Sequence, residues 1–361
     1  MNMELSAVQN GQLVSGGPVA ESLLANNMNP SVMRPFFNDR GQPCVSMVQN
    51  GKHVAVPAPN VNAVLRKDEW KQIDDAVSRV HRERLIGIQD LLNRGLTYNL
   101  TNPMATTVLE FEKVSDSGSA QMDMDGINRG TNDRPKFSLD YLPVPIIHAD
   151  FQFNSRVLAA SRKRGDPLDT TQAENSTRQV SEMQEDLLFT DEKYSFGGGT
   201  IYSYINHPSR MTYTISKAWD ASDKTGAEIV DDIKAMKQKF INNRLYGPYV
   251  VYLPTNYETK LDEDYTSGYP KTIRARILEI ENIDAVKVAD HLPKDTVSMV
   301  QMSSDTIRLV NGMGATSTQW ESEGGYAINF KVLAIRIPQI RTDYEGRTGV
   351  LHAAISSAAN W

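Results

Sequence analysis

The segment LDTTQAENSTRQVSEMQEDLLF, residues 168–189, restricts the possible folds more than any other part of the chain. It reads as a single helix of about 20 residues, roughly 30 Å long at the usual helical rise. Asp169 is placed to cap it, with Gln172 three residues on to complete a capping box. Ala173, Thr177, Val180, Met183 and Leu187 recur at helical spacing and form the expected packing stripe. Gln172, Asn175, Gln179, Glu182 and Glu185 fill much of the remaining circumference. Only one narrow side can therefore lie on a core. The helix is too weakly apolar for a coiled coil, and long for an enzyme of this size. It is expected to act as a spine across one face of a sheet.

Bulk properties narrow the classes. The 361 residues can build one large domain or two of ordinary size. Apolar content of 40% with 23% charge suits a soluble, folded protein. No run approaches the ~20 apolar residues that span a bilayer. The opening MNMELSAVQNGQ lacks a basic and then apolar signal sequence, so synthesis in the cytoplasm is expected. A single cysteine, Cys44, excludes an internal disulfide framework and reads as a small filler residue. The net charge of −6 gives no support to a dedicated nucleic-acid binder, although it is compatible with a local basic patch.

Along the chain, residues 1–65 are interrupted by Gly16-Gly17-Pro18, Asn29-Pro30, Arg34-Pro35 and Pro57-Ala58-Pro59. These breaks argue for an arm without a core of its own, whose short runs Cys44–Val48 and His53–Val56 could add to another chain's sheet edge. From Asp68 to Asn93 one apolar face recurs through Trp70, Ile73, Val77, Leu85 and Ile88, and Gly95 supplies a stop. Residues 101–147 read as a long two-stranded excursion. Thr106–Val114 runs out, Phe137, Leu139 and Tyr141 return, and a polar tip lies between them. Glu110, Glu112 and Lys113 lie on the outgoing strand, with Arg129, Arg134 and Lys136 on the return side. A lone ribbon of this kind is marginal in water, so it needs a surface to lie on. Another copy of the chain is the economical candidate.

Gly197-Gly198-Gly199 permits a sharp turn after the spine. Residues 225–315 read as an α/β block able to bury its own core. A helix with Ile229, Ile233, Met236 and Phe240 on one face precedes the strand Tyr249–Leu253. The end of the chain returns to strands. Tyr326, Ile328, Phe330, Val332 and Ala334 fill one face, Leu333, Ile335 and Ile337 the other, Pro338 stops the run, and Thr348–Ile355 resumes it.

Chemistry is harder to find. None of the six histidines pairs at metal-ligand spacing, and HExxH, GxSxG and a phosphate-loop ending are all absent. His148 reads as structural. Gln121–Asn132 places Asp123, Asp125 and Gly126 as a calcium loop would, but Gln121 and Asn132 stand at its two end positions, where a bidentate Glu is required last. The expectation is no catalytic residue, no metal and no cofactor. An α/β enzyme with an unrecognised site stays open as a third class.

The order of parts resembles the tailed-phage major capsid proteins of the Hong Kong 97 type. Local stretches sharpen the likeness toward its encapsulin-like branch. These are LPVPIIHADFQFNSRVLAASRKRGDPLDT with the polar spine behind it, INHPSRMTYTISKAW and GPYVVYLPTNYETKLDEDY. The resemblance covers roughly residues 68–355. It implies an α+β Hong Kong 97-type capsid fold divided into an N-terminal arm (1–66), an N-terminal helix (67–100), an extended loop (101–147), a peripheral domain with the spine helix (148–224), an apical domain (225–317) and peripheral closing strands (318–361).

It also implies a shell subunit without enzymatic activity, made in a host bacterium's cytoplasm and housed in the virion. The extended loop, with Glu110, Glu112, Lys113, Arg129, Arg134 and Lys136, would meet a neighbouring subunit. The implied partners are further copies in pentamers and hexamers, portal and scaffolding or decoration proteins, and packaged double-stranded DNA held non-specifically. No membrane is implied. Some members of the fold cross-link neighbours through lysine and asparagine. Lys113 or Lys136 with Asn329 would be the pair, without a motif to support it. Encapsulins begin near the first helix, so the preceding stretch favours a phage capsid over a cargo compartment, with the encapsulin reading as the alternative.

Overall fold

The protein was analysed as a computed structural model that describes residues 8–9, 12–13, 34–49, 52–59, 63–115, 122, 124, 136–164, 170–266 and 269–355. The chain forms two compact units, each assembled from separated segments. The first comprises Met1–Thr107, Val144–Asp186 and Leu309–Ile337, and the second Val108–Pro143, Leu187–Arg308 and Pro338–Trp361.

In the first unit, helix α1 (Lys67–Arg84) buries Trp70, Ile73, Ala76 and Val77. Its Trp70 ring meets Phe330 edge-on at 5.8 Å, and Phe330 stacks on Phe151 at 5.0 Å. Phe151 and Phe330 are direct partners across antiparallel strands Ile147–Asn154 and Ala327–Ile340. Strand Ile307–Ser322 follows Ala327–Ile340 in the sheet, and the short Thr97–Asn99 closes it. Aromatic rings on facing strands thus form the floor on which α1 rests.

The single helix expected over Asp68–Asn93 is two. Leu85 adopts extended backbone and ends α1, and α2 (Gly87–Asn93) begins afresh. A carboxylate from elsewhere in the unit compensates the break. Glu185 is buried, and its oxygens accept the N–H groups of Gly87 and Ile88, both at 3.1 Å. Those donors would otherwise be orphaned at a helix start. Gly95, with φ of +68°, stops α2 as expected.

The segment ahead of α1 carries more structure than a bare arm. Pro43–Gln49 and Lys52–Pro57 pair with each other, and Phe36–Phe37 joins them to Leu65–Arg66 in a four-stranded sheet. Gly41, with φ of +73°, turns the chain between Phe36–Phe37 and Pro43–Gln49, and a buried arginine anchors the sheet. Arg34 lies 4.0 Å over the Trp70 ring and 2.6 Å from Asp74, while the Trp70 indole donates to the Pro35 carbonyl. Cys44 is a buried filler, as its isolation suggested.

Helix α3 (Ser155–Arg164) precedes the spine, α4 (Thr171–Phe189). The expected cap Asp169 lies outside the described residues. Of the expected packing residues Ala173, Thr177, Val180 and Leu187 are buried, whereas Met183 is 44% exposed. Gln184 takes the buried position instead, together with Ser176 and Ser181. The physical reason lies in back-bonding to the carbonyl four residues earlier. Thr177 donates to Ala173, Ser181 to Thr177 and Gln184 to Val180. Polar heads satisfied by their own helix can be buried at little cost. Glu185, expected on the outward polar face, is likewise inside.

The second unit is built on a five-stranded mixed sheet in the order Met211–Ile215, Val350–Ile355, Thr296–Gln301, Tyr249–Leu253, Ile283–Val288. The block expected over 225–315 therefore recruits strands from both sides of it, and Thr348–Ile355 belongs here and not with the strands before it. Pro338 does not end Ala327–Ile340, because it is buried within that strand. Helix α5 (Gly226–Asn242) starts with a Thr225–Glu228 capping box and lays Ile229, Ile233, Met236 and Phe240 on the sheet. On the other sheet face Tyr252 packs against Phe189 and Tyr204. Every residue of Tyr249–Leu253 is consequently buried, as a strand covered on both faces requires.

Replacing Glu185 by Gln removes the charge from both α2 hydrogen bonds and leaves a similar volume. The expected outcome is a loss of about 1–3 kcal/mol of stability, read as a lower midpoint in denaturant unfolding. An unchanged midpoint would exclude the capping role.

Candidate functional site

The ribbon carries the most unusual surface. Val108–Val114 pairs in unbroken register with Phe137–Pro143, from Val108 opposite Pro143 to Val114 opposite Phe137. Alternation puts Glu110, Glu112, Val114, Phe137, Leu139 and Tyr141 on one face. On that face Val114, Phe137 and Leu139 are 48%, 64% and 57% exposed. Lys113 lies on the opposite face and pairs with Asp140 at 2.6 Å. Glu110 and Glu112 are exposed, and no cation pairs with either among the described residues. Lys136 is exposed just before the return strand, where its N–H donates to the Ser115 hydroxyl. Arg129, Arg134 and the calcium-like positions Asp123, Asp125 and Gly126 lie outside the described residues.

The base of this ribbon is held by a hairpin, Tyr194–Phe196 with Gly199–Ile201. Gly197 and Gly198 turn it with φ of +58° and +82°, a conformation that glycine adopts without strain. Gly199 is needed for a different reason. A Cβ there would stand 2.2 Å from the Tyr141 carbonyl oxygen and 2.9 Å from Pro143 Cδ. Backbone meets backbone at this point, and no side chain fits between. The sequence signalled the turn but not this close approach.

Beside the hairpin lies a titratable cluster. His207 is buried, and its Nδ1 accepts the Ser209 N–H. Arg210 donates from Nη1 to the His207 carbonyl and from Nε to His352 Nδ1. Burial, then the charges of Lys113 and Arg210, push His207 down to about 4, against a weaker opposing pull from Asp140. His352 is lowered in the same way by burial and Arg210. His148 is exposed, 3.5 Å from Asp150. No group of three or more His, Cys, Asp or Glu among the described residues could hold a metal.

A second polar cluster supports the sheet. Asp232 accepts from the Tyr213 hydroxyl at 2.9 Å and the Trp219 indole at 3.0 Å, and pairs with the buried Lys224 at 2.8 Å. It sits in the apolar stripe of α5, one place before Ile233. An acid at that position was the available signal for a buried network. Both carboxylate oxygens are engaged within the cluster, so it braces the fold. A cleft of about 280 Å³ beside the outgoing ribbon strand is lined by Phe111, Glu112, Lys113, Asp305 and Arg341. Its mixed charges select no ligand class. None of the described helices is long and apolar enough to cross a membrane.

Stability should depend on pH through His207. Unfolded imidazole titrates near 6.5 and the folded group near 4, so between these values the unfolded chain binds a proton that the folded chain refuses. This contribution is complete above pH 6.5 and is lost as pH falls toward 4, by roughly 3 kcal/mol in all. His207→Gln should flatten that part of the stability–pH curve in thermal unfolding. A slope identical to the unsubstituted protein would assign the dependence elsewhere.

The similarities to known proteins share one fold. Over 225 residues the chain is 23% identical to the type 1 encapsulin shell protein EncA of Myxococcus xanthus, covering 61% of this chain and 69% of that one. The virus-like particle from Pyrococcus furiosus matches with a TM-score of 0.56 at 14% identity, over 78% of this chain and 98% of its own. The capsid of Myoviridae phage XM1 matches with a TM-score of 0.56 at 10% identity, over 73% and 90%. Identities this low establish the fold, and the fold is the Hong Kong 97 type. A family model spans residues 60–353, and the chain belongs to that family, the family of unknown function DUF6260.

Proposed function

We propose that this chain is a shell subunit, the major capsid protein of a tailed-phage head that encloses double-stranded DNA. The observation that carries the reading is the Hong Kong 97 fold together with a ribbon whose outer face exposes Val114, Phe137 and Leu139. A two-stranded ribbon with so little core gains stability from a second surface. In a closed shell each copy gives its ribbon and receives another, a heterologous contact that symmetry can close. In this reading 101–147 is the extended loop, 148–224 with 318–361 the peripheral domain and 225–317 the apical domain, except that Met211–Ile215 and Val350–Ile355 join the apical sheet, and 1–66 is an arm. The spine helix stiffens the wall through Ala173, Thr177, Val180 and Leu187.

Neighbours would be held without covalent links. Lys113 is engaged with Asp140 inside its own ribbon, and the Asn329 amide donates to the Ser322 hydroxyl at 2.8 Å. Portal and scaffolding or decoration proteins would complete the head. DNA contacts would be few, non-specific and weakened by salt. The chain would be made in the host cytoplasm and end in the virion.

The likeness to EncA supports a second reading, a cellular compartment around an enzyme cargo. The sheet formed by residues 36–66 ahead of α1 favours the phage head. Particles purified from expressing cells separate the two. Nuclease-protected DNA of defined length is the expected content, and a folded protein cargo without nucleic acid would establish the compartment instead.

Deleting the ribbon residues 107–138 should leave a soluble subunit that sediments below the size of any shell. Normal particles in electron micrographs of that variant would remove the role given to the ribbon. A full-length chain that stays monomeric in light scattering at high concentration, with portal and scaffold supplied, would sink the shell reading itself.

A further inference from the structure

Helix α3 has a composition that its own unit does not use. Its sequence SRVLAASRKR holds four basic residues and no acid. Leu158 is its buried contact. Arg162 is spent internally, forking onto Glu69 at 2.6 and 2.8 Å and donating to the Val64 carbonyl. Arg156 and Lys163 are exposed, and neither meets an acid among the described residues. They are seven positions apart, two turns on one side of the helix, or about 10 Å along its axis.

Apolar surface lies beside them. Val157 is 63% exposed and Tyr326 is 73% exposed. The Ser155 N–H donates to the Tyr326 carbonyl at 3.0 Å, which fixes Tyr326 at the start of α3. The ribbon face has the complementary character: three exposed apolar side chains and the acids Glu110 and Glu112. Those acids are two residues apart on one strand, about 7 Å. Long arginine and lysine side chains span the difference between 7 and 10 Å. Lys193 follows Asp191 and Glu192 beside Tyr194, Arg244 is exposed beside Tyr246, and several further cations near apolar surface are engaged within the chain. Lys331 meets Asp150, Arg347 meets Asp343, and both Lys271 and Arg276 meet Glu279.

We propose that the acidic, apolar face of one copy's ribbon docks on the basic, apolar surface of α3 and Tyr326 in a second copy. Glu110 and Glu112 face Arg156 and Lys163, and Phe137 and Leu139 cover Val157 and Tyr326. This assignment rests on the shell reading and supplies its contact. The apolar part gives most of the attraction, and the rim charges set register and exclude wrong neighbours. Each exposed pair is weak alone, and repetition through a closed shell multiplies it.

Charge reversal in the full-length chain tests this. Glu110→Lys with Glu112→Lys, and separately Arg156→Glu with Lys163→Glu, should each cut the shell fraction at 0.1 M salt by about tenfold or more. All four substitutions together should return it to within about threefold of the unsubstituted chain. Shell fraction is read by sedimentation and electron microscopy, and circular dichroism checks that each subunit is folded. Should a reversed subunit misfold, the neutral set Glu→Gln and Arg/Lys→Gln at the same positions should still lower assembly, with a smaller salt dependence. Normal assembly of both reversed pairs overturns the proposal, as does a fourfold variant no better than either pair. Normal shells of the α3 variant with reduced nucleic acid also overturn it and assign α3 to the packaged polymer. Failure of the unsubstituted chain to form any shell strikes the shell reading first, and is thereby distinguished from failure of this pairing.

Discussion

A two-stranded ribbon satisfies its backbone along one seam and has almost no interior, so its side chains need a surface supplied from outside. At its base this protein supplies that surface by removing a side chain altogether. Gly199 lets the hairpin backbone press against the Tyr141 carbonyl, and Pro143 closes the contact. Farther out the face is bare, with Val114, Phe137 and Leu139 toward water. The shell reading and the docking surface both follow from that difference between a gripped base and an open end.

The second recurring device is the disposal of polar groups inside. The spine buries threonine, serine and glutamine by returning each donor to its own helix. Glu185 is buried because two helix-start donors need an acceptor. Asp232 is buried because an indole, a phenol and an ammonium converge on it. In each case a hydrogen bond is made before the group is enclosed, which lowers the desolvation cost of burial, although Gln184 Oε1 stays buried without a partner among the described residues.

These devices explain what could be read in advance. The spine, the ribbon strands, the Gly197-Gly198 turn, α5 and the strand Tyr249–Leu253 were legible, because period and turn chemistry are local. The assignment of Met183 to the packing stripe failed because hydropathy ranks methionine above glutamine and ignores the carbonyl that Gln184 reaches. The break at Leu85 was hidden, since the acid that caps α2 lies nearly a hundred residues away. Val350–Ile355 fell to the wrong sheet because strand composition carries no information about its partner. In the candidate site, Glu110, Glu112 and Lys113 were named from the strand pattern. Which of them shares a face with apolar residues follows from the register, and the part proposed for α3 needed the pairing of Arg162 with Glu69 to show which of its cations face water.

The back-bonded face of the spine has a consequence for ionic strength. The Thr177 and Ser181 hydroxyls and the Gln184 amide donate to the helix's own carbonyls, and the rest of that face is the buried Ala173, Val180 and Leu187. Such a face holds by shape and exclusion of water, neither of which salt screens. Exposed charges are screened over about 10 Å at 0.1 M salt. With the proposed docking, the chain combines a salt-indifferent inner seam with a salt-sensitive rim, and added salt should loosen contacts between copies well before it disturbs the fold of one.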